Sequence, residues 1–382
     1  MPPASDSGRD GWGDRSGEPL HQVHAGLVDA PAHLFRPRDT VRYRLYGRAQ
    51  GKSMTNTNYK MTGPVTVAFR RVETPSGTFQ EKFLDAGQNP PDGVVIRYWL
   101  RDKADAVRVV ILDGQGNEVR SFSNKPEKKP SGEAEPAAEG EVQQVTAEEE
   151  VSSEEEAEEQ APWAPNEAGM NSLTWDYRYE KPVKVEGKSR GAREEALESV
   201  GGPRALPGDY RVRLTVGDQT LEEPLRLLAD PRLPVSAESL KAQFELKLAI
   251  RDRTSETNTA INQLRRLRQQ VEEWEKRAGD RAQIKDAAKS LKDQLRSVEA
   301  ELINVDFEKP RPGPNRIKEK LDALSSMIDE SDDTPTRGAH EVYDMLRGQL
   351  ETQQARLREL IEGPITSFNE LIQSQGVPAV GI

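Results

Sequence analysis

Residues 207–250 read PGDYRVRLTVGDQTLEEPLRLLADPRLPVSAESLKAQFELKLAI, and the hydrophobic period changes inside them. From Tyr210 to Val216 it is two. Tyr210, Val212, Leu214 and Val216 share one face and Arg211, Arg213 and Thr215 the other, as in a half-buried antiparallel strand. Gly217-Asp218 turns the chain into a second strand, Leu221 to Leu228. After Asp230-Pro231-Arg232 the period lies between three and four. Ser236 is placed to cap a helix, Glu238 suits its first turn, and no Pro or Gly follows until Gly279. The fold class is therefore α+β, with strands first and helices after.

Upstream, strands are expected at Val94 to Leu100, Val107 to Leu112, Glu118 to Ser123 and Ser172 to Tyr177, punctuated by Asn89-Pro90-Pro91-Asp92-Gly93 and Asp113-Gly114. With the two strands above they make six, which fits an immunoglobulin-like β-sandwich burying Trp99, Trp175 and Tyr210. Val41 to Tyr46 and Pro64 to Val72 read as further short strands, and Gly51 to Tyr59 as a loop. The resulting division is an extended lead-in (1–40), an irregular segment with short strands (41–92), a β-sandwich (93–232), a helical bundle (233–376) and a tail (377–382).

Two insertions interrupt the sandwich. Between Glu133 and Glu159 stand twelve Glu and no Lys, Arg or Asp, so the chain without them carries about +1 rather than −11. Residues 125–165 are thus expected to be a disordered acidic insertion. Their Ala and Pro interleaving offers calcium no fixed geometry. Lys184 to Leu206, polar and Gly-rich, reads as a second, mobile loop.

The first helix runs some forty residues with a stripe of Leu240, Phe244, Leu248, Ile261, Leu264, Leu267, Val271 and Trp274. Its polar middle, Arg251 to Thr259, reads as frayed, kinked or exposed. A second helix starts at Asp280, with Gln283 completing a capping box, and carries Ile284, Ala288, Leu291, Leu295, Val298 and Leu302. A third carries Ile317, Leu321, Leu324 and Ile328. A fourth is capped by Thr334 and carries Val342, Leu346, Leu350, Leu357 and Leu360. Gly363-Pro364 kinks or restarts it before Ile365, Phe368, Leu371 and Ile372. Short connections make these helices antiparallel neighbours.

The absence of cysteine excludes disulfides, thiolate metal sites and cysteine catalysis. The near-neutral balance outside the acidic tract argues against nucleic acid, and residues 1–20 carry no apolar run of the kind found in signal peptides and membrane anchors. His21 and His24 share a helical spacing but have no third ligand nearby. Asp176 beside Trp175 and Asp230 before Pro231 are the acids weighed for catalysis, and turn and strand-end structure accounts for both. No catalytic, cofactor-binding or metal-binding residue is nominated, and no cofactor is expected.

Ala30-Pro31-Ala32-His33-Leu34-Phe35, Asn89 to Gly93, Gly169-Met170-Asn171 with Trp175 to Tyr179, Pro207 to Tyr210 and Asp230-Pro231-Arg232 together resemble the C-terminal region of bacterial sortilin-type β-propeller proteins. Those proteins carry bacterial neuraminidase (BNR) repeats and are often labelled glycosyl hydrolases. The likeness covers about residues 25–235 by motif, and the helical tail continues it in pattern. It implies an exported, extracytoplasmic accessory module that docks on a propeller or another protein; the lack of a recognisable site adds that it is not an enzyme, and long helices with few connections offer a surface for dimerisation. The propeller repeats are missing here, so no family catalytic residue maps onto this chain. The alternative implied by the same likeness is the C-terminal fragment of a BNR-repeat glycoside hydrolase with its active site in the missing propeller.

Overall fold

The computed structural model describes residues 21–43, 54–62, 65–73, 79–84, 93–124, 163–186, 201–305 and 313–377. The calls on the acidic tract up to residue 162, on Val41 to Tyr46 beyond residue 43 and on Asn89 to Asp92 lie outside these residues. The fold is α+β, and the chain separates into two compact units. The first takes in residues 1–43, 53–176 and 207–229, and the second 44–52, 177–206 and 230–382.

In the first unit β1 (Ala32–Leu34), β6 (Val94–Leu100) and β9 (Gly169–Trp175) form one sheet in the order β1-β6-β9. A five-stranded sheet has the order β2-β11-β10-β7-β8, from β2 (Thr40–Val41), β7 (Val107–Leu112), β8 (Glu118–Ser123), β10 (Gly208–Val216) and β11 (Gln219–Leu228). A third sheet joins β3 (Met54–Thr62), β4 (Val65–Glu73) and β5 (Phe79–Phe83) in chain order. All pairings are antiparallel except β2 with β11. The six expected strands are present, residues read as lead-in supply β1, and β2 joins Thr40 of the lead-in to Val41, the start of the expected Val41 to Tyr46 strand.

Three readings change. Residues 54–59, read as loop, belong to β3, where Asn58 and Tyr59 pair with Phe69 and Ala68. The β-branched Thr55, Thr57 and Thr62 suit that strand despite its polarity. On β6 the inward parity belongs to Val94, Ile96, Tyr98 and Leu100, so Tyr98 is fully buried and Trp99, on the opposite face, only half-buried. The acidic insertion ends earlier than expected. Trp163 bridges Ser123 in parallel, Ala164 N donates to Ser123 O at 2.8 Å, and the Tyr98 hydroxyl donates to Pro165 O. Burial raises the pKa of that phenol.

The β1-β6-β9 sheet and the five-stranded sheet meet through aromatic side chains. Trp175 of β9 and Tyr210 of β10, both buried, pack edge to face with centroids 5.7 Å apart. Gly93 sits at φ +151° where a Cβ would lie 2.3 Å from Trp175 O, so that turn admits no side chain.

The second unit holds α1 (Ala237–Arg277), α2 (Ala282–Leu302), α3 (Ile317–Ile328), α4 (Arg337–Leu360) and α5 (Thr366–Ser374). At 41 residues α1 is about 60 Å long. Ser236 caps it, accepting from Ser239 N at 3.1 Å. Two other caps differ from the expectation. Arg281 precedes α2 while Asp280 pairs with Lys285 at 3.1 Å, and Thr336, not Thr334, caps α4 by accepting from Ala339 N at 3.2 Å. A π-helical segment, Ile361–Ile365, carries Pro364 between α4 and α5 and keeps the chain helical, absorbing the lost donor by a wider turn.

One apolar cluster runs through all five helices, including Ile261, Leu264, Leu291, Leu295, Leu321, Leu346, Leu350 and Phe368. The first turns of α1 are rotated relative to the expected stripe. Leu240, Gln243, Leu246, Lys247 and Ile250 are buried while Phe244 and Leu248 are half-buried. Val342 on α4 is exposed.

Two substitutions test the first unit. Gly93→Ala should cost about 2 kcal/mol or more in urea unfolding followed by Trp fluorescence, whereas Gly114→Ala, with its nearest neighbour at 3.5 Å, should be near neutral. Equal effects would refute the close-approach argument. Because Ser123 and Trp163 are already neighbours, replacing residues 126–161 with a four-residue Gly-Ser linker should hold or raise the melting temperature, loop closure becoming easier by roughly 1–2 kcal/mol. A large fall would show that the tract makes ordered contacts.

Candidate functional site

The middle of α1 is neither frayed nor exposed. Thr254, Thr257, Asn258 and Asn262 are buried, and the helix is continuous through them. Their neighbours explain this. Residues 177–186, which follow β9, lie extended along α1, and five helix residues bind the backbone of this strap. Arg251 Nη1 donates to Glu180 O at 3.2 Å. Ser255 Oγ accepts from Val183 N at 3.2 Å and Asn258 Nδ2 donates to Val183 O at 2.7 Å. Asn262 Nδ2 donates to Lys184 O at 2.8 Å while its Oδ1 accepts from Glu186 N at 2.8 Å. Arg265 Nη1 closes the series on Glu186 O at 3.1 Å.

Positions 251, 255, 258, 262 and 265 advance by four, three, four and three, which keeps them on one helix face. The lengths agree as well. Fourteen helical steps span about 21 Å and six extended steps about 20 Å, so strap and stripe stay in register from end to end. Pro182 has no N–H to satisfy and favours the extended form. The described ends of Lys184 to Leu206 are therefore pinned, not mobile, and residues 187–200 of that call lie outside the described residues.

The returning limb, residues 201–206, packs beside the strap. Tyr179 N donates to Pro203 O at 2.9 Å and Ala205 N to Tyr177 O at 2.6 Å. A Cβ on Gly202 would meet Tyr179 O at 2.1 Å and Glu180 O at 2.4 Å, so the approach requires glycine. Tyr177 adopts φ +58°, the left-handed turn that launches the strap.

Charge is concentrated under these limbs. Lys247, 3% exposed, donates to Ser325 O and Oγ, each at 2.9 Å, and lies 3.7 Å from Asp329 Oδ1. Arg178 Nη2 pairs with Asp329 Oδ2 at 2.7 Å and its Nη1 donates to Gly202 O at 2.8 Å. Lys318, 1% exposed, pairs with Asp322 at 3.0 Å. Burial pushes the Asp329 carboxyl up, but Arg178, Lys247 and Arg204 outweigh it and hold the group below the ordinary range. Gln243 Nε2 and Lys247 Nζ also reach the last turn of α3, Gln243 donating to Ile328 O, which the helix end leaves open, and Lys247 adding a second donor to Ser325 O, which already accepts from Asp329 N.

A cavity of about 30 Å³ opens between the strap and helices α1 and α3. Its lining includes Lys181, Lys184, Lys247, Arg251 and Lys318, against the single carboxylate of Asp322. Asn258 also lines it. Its Oδ1 is buried and accepts no hydrogen bond from a described residue.

The residues weighed from sequence fall elsewhere. His24 meets His33 edge to face at 6.0 Å, and burial, then the His24 charge, lower the pKa of His33 against the opposing effect of Glu223. Asp230 accepts from Arg232 N at 3.0 Å and pairs with its guanidinium at 2.6 Å, and the Arg232 side-chain hydrogen bond holds its carboxyl below the usual range, so it organises a turn. Asp176 follows β9 directly, at the entry to the left-handed turn. Among the described residues no three His, Asp or Glu side chains gather as a metal set, and no helix is long and apolar enough to cross a membrane. No family model, no curated protein sequence and no solved structure matches this chain.

Asp329→Asn should destabilise the helical unit by about 2–4 kcal/mol at pH 7, because it leaves Arg178 and Lys247 largely buried without their carboxylate. The carboxyl is depressed in the folded state, so its contribution is complete above the unfolded pKa near 4 and fades as pH falls through the lower folded value. Urea titrations of parent and variant should therefore begin to approach each other below about pH 4 and meet only as pH falls past the lower folded value. A gap that stays constant with pH would contradict this assignment.

Proposed function

We propose that this chain is a non-catalytic docking module, an immunoglobulin-like β-sandwich joined to an antiparallel bundle of long helices, that works beside an exported β-propeller. The observation that carries the reading is the strap. Its backbone is tied to α1 by side chains at five stations, while Lys181, Val183 and Lys184 stand exposed. Fixing an extended segment before a partner arrives removes the ordering cost from binding. Two exposed ammonium groups flanking an exposed valine suit an acidic surface with a small apolar contact, and such charges raise the rate of encounter.

The sandwich half of the reading is supported by the Trp175–Tyr210 contact and by the alternating burial on β6, β9 and β10. The propeller enters from the motif resemblance. The exposed pair Val342 and Met345 on α4 gives the helices a surface on which to dimerise.

The test uses the purified chain and a recombinant propeller encoded in frame with it or next to it. A complex of micromolar affinity should form, weaken as salt rises, and be lost in the Lys181→Glu/Lys184→Glu double variant. If no such propeller is encoded, or if the chain elutes alone in its presence, the docking reading falls. Hydrolysis of sialosides or aryl glycosides by the chain alone would overturn its non-catalytic part.

A further inference from the structure

We infer that the outer edge of β9 is an interface for a second copy of this chain, the two β9 strands pairing antiparallel about a two-fold axis at Ser172 and joining their sheets. The inference goes beyond the docking reading and does not depend on it.

Backbone direction decides which groups are available. Arg97 O accepts from Phe35 N at 3.0 Å and Arg101 N donates to Pro31 O at 3.1 Å, so the odd-numbered residues of β6 turn their peptide groups to the β1 side and the even-numbered ones to β9. The register sets those even-numbered residues, Val94, Ile96, Tyr98 and Leu100, against Trp175, Leu173, Asn171 and Gly169. Met170, Ser172 and Thr174 therefore aim their N–H and C=O groups away from β6, and among the described residues nothing binds those groups. One side of a seven-residue strand thus presents three donors and three acceptors.

The other long edges are guarded. On β11, Leu228 O accepts from Arg42 N at 2.9 Å, and Pro224, with the same outward parity, offers no N–H to an incoming strand. Charged Glu222 and Arg226 flank that proline. On β8, Ser123 O already accepts from Ala164 N at 2.8 Å, and Glu118 and Arg120 charge the strand. Proline and charge are the devices that keep an edge from pairing, and β9, Gly-Met-Asn-Ser-Leu-Thr-Trp, has neither.

The occupant follows from the same composition. An edge that captures a foreign peptide takes its specificity from pockets for alternate side chains. Here the inner side is filled by the strand's own Asn171, Leu173 and Trp175, all buried, and the outer side is a short row of Met170, Ser172 and Thr174, with Met170 48% exposed. In antiparallel self-pairing the residue on the axis faces its own copy, where a charge would repel itself; Ser172 carries none. That register sets Met170 of one copy opposite Thr174 of the other, covers the exposed methionine and satisfies all six peptide groups of each strand. A single strand pair buries less than the roughly 800 Å² per partner of a standard interface, so the association is reversible.

The experiment combines sedimentation equilibrium of the full chain over a hundredfold range of concentration with amide hydrogen exchange of the peptide covering residues 169–175. The parent should associate reversibly, and exchange in that peptide should slow as concentration rises. Ser172→Pro removes an outward N–H at an edge position that accepts proline, and it should raise the dissociation constant at least tenfold while circular dichroism keeps the folded signal. Ser172→Lys and Ser172→Glu should each weaken association to a similar degree, and their equimolar mixture should restore it, because the axis then joins opposite charges. Such rescue requires both variants to be folded. Val342→Ser/Met345→Ser on α4 should leave the protection of residues 169–175 in place. A parent that stays monomeric would overturn the inference and leave the edge to an extended segment of another chain. A mixture without rescue, or protection that survives Ser172→Pro and vanishes in the α4 variant, would overturn it as well, the latter by placing the contact on the helices.

Discussion

Among the described residues no strand pairs with residues 180–186, and buried peptide groups must find partners. They find them on one polar stripe of α1. Arg251, Ser255, Asn258, Asn262 and Arg265 take over the task that a neighbouring strand performs in a sheet, and this substitution shapes the helical unit. It fixes where the strap runs, and it brings Lys181 and Lys184 into the lining of the cavity beneath it. It also lets the middle of a 41-residue helix be buried although few of its side chains are apolar.

Such an arrangement brings positive charge under cover, which is costly unless it is balanced. Asp329 supplies much of the balance for Arg178 and Lys247, and the carbonyl and hydroxyl of Ser325 supply neutral acceptors. Further along α1, Arg265 and Arg268 meet Glu299 of α2, itself 3% exposed. The helices are therefore joined by two kinds of contact. Apolar packing through Ile261, Leu264, Leu291 and Leu295 gives the bulk of the driving force, while the charged and amide contacts determine which faces meet.

Much of this fold was legible because period is a local property. The alternation of Tyr210 to Val216, the cap at Ser236 and the stop at Gly279 all depend on residues within a turn or a strand of each other. Trp99 is the exception: Arg97 shares the face of Val95 and Trp99 and marks it as the outer one, whereas the size and apolarity of an indole point to burial. The candidate site was harder to read. In isolation Arg251 to Thr259 has the composition of a solvated or frayed segment, since helix propensity and hydrophobicity do not register a distant backbone in need of donors. The available signal was the four-three spacing of Arg251, Ser255, Asn258, Asn262 and Arg265. That spacing has the period of a buried seam, written in hydrogen-bonding residues instead of leucines.

A polar seam behaves differently from an apolar one. Leucines tolerate a strap shifted by one residue, because apolar contact is non-directional. Amides do not. Asn262 donates to Lys184 O and accepts from Glu186 N, so a one-residue slip would set donor against donor and leave buried groups unpaired. The same slip would carry Pro182 into the place of Val183, whose N–H Ser255 accepts. Gly202 adds a steric limit, since only a residue without a Cβ allows the returning limb to lie against Tyr179 and Glu180. Directional bonding, proline and glycine thus select one register. A surface built on an extended backbone requires this, because register decides which of its side chains stand exposed, here Lys181, Val183 and Lys184.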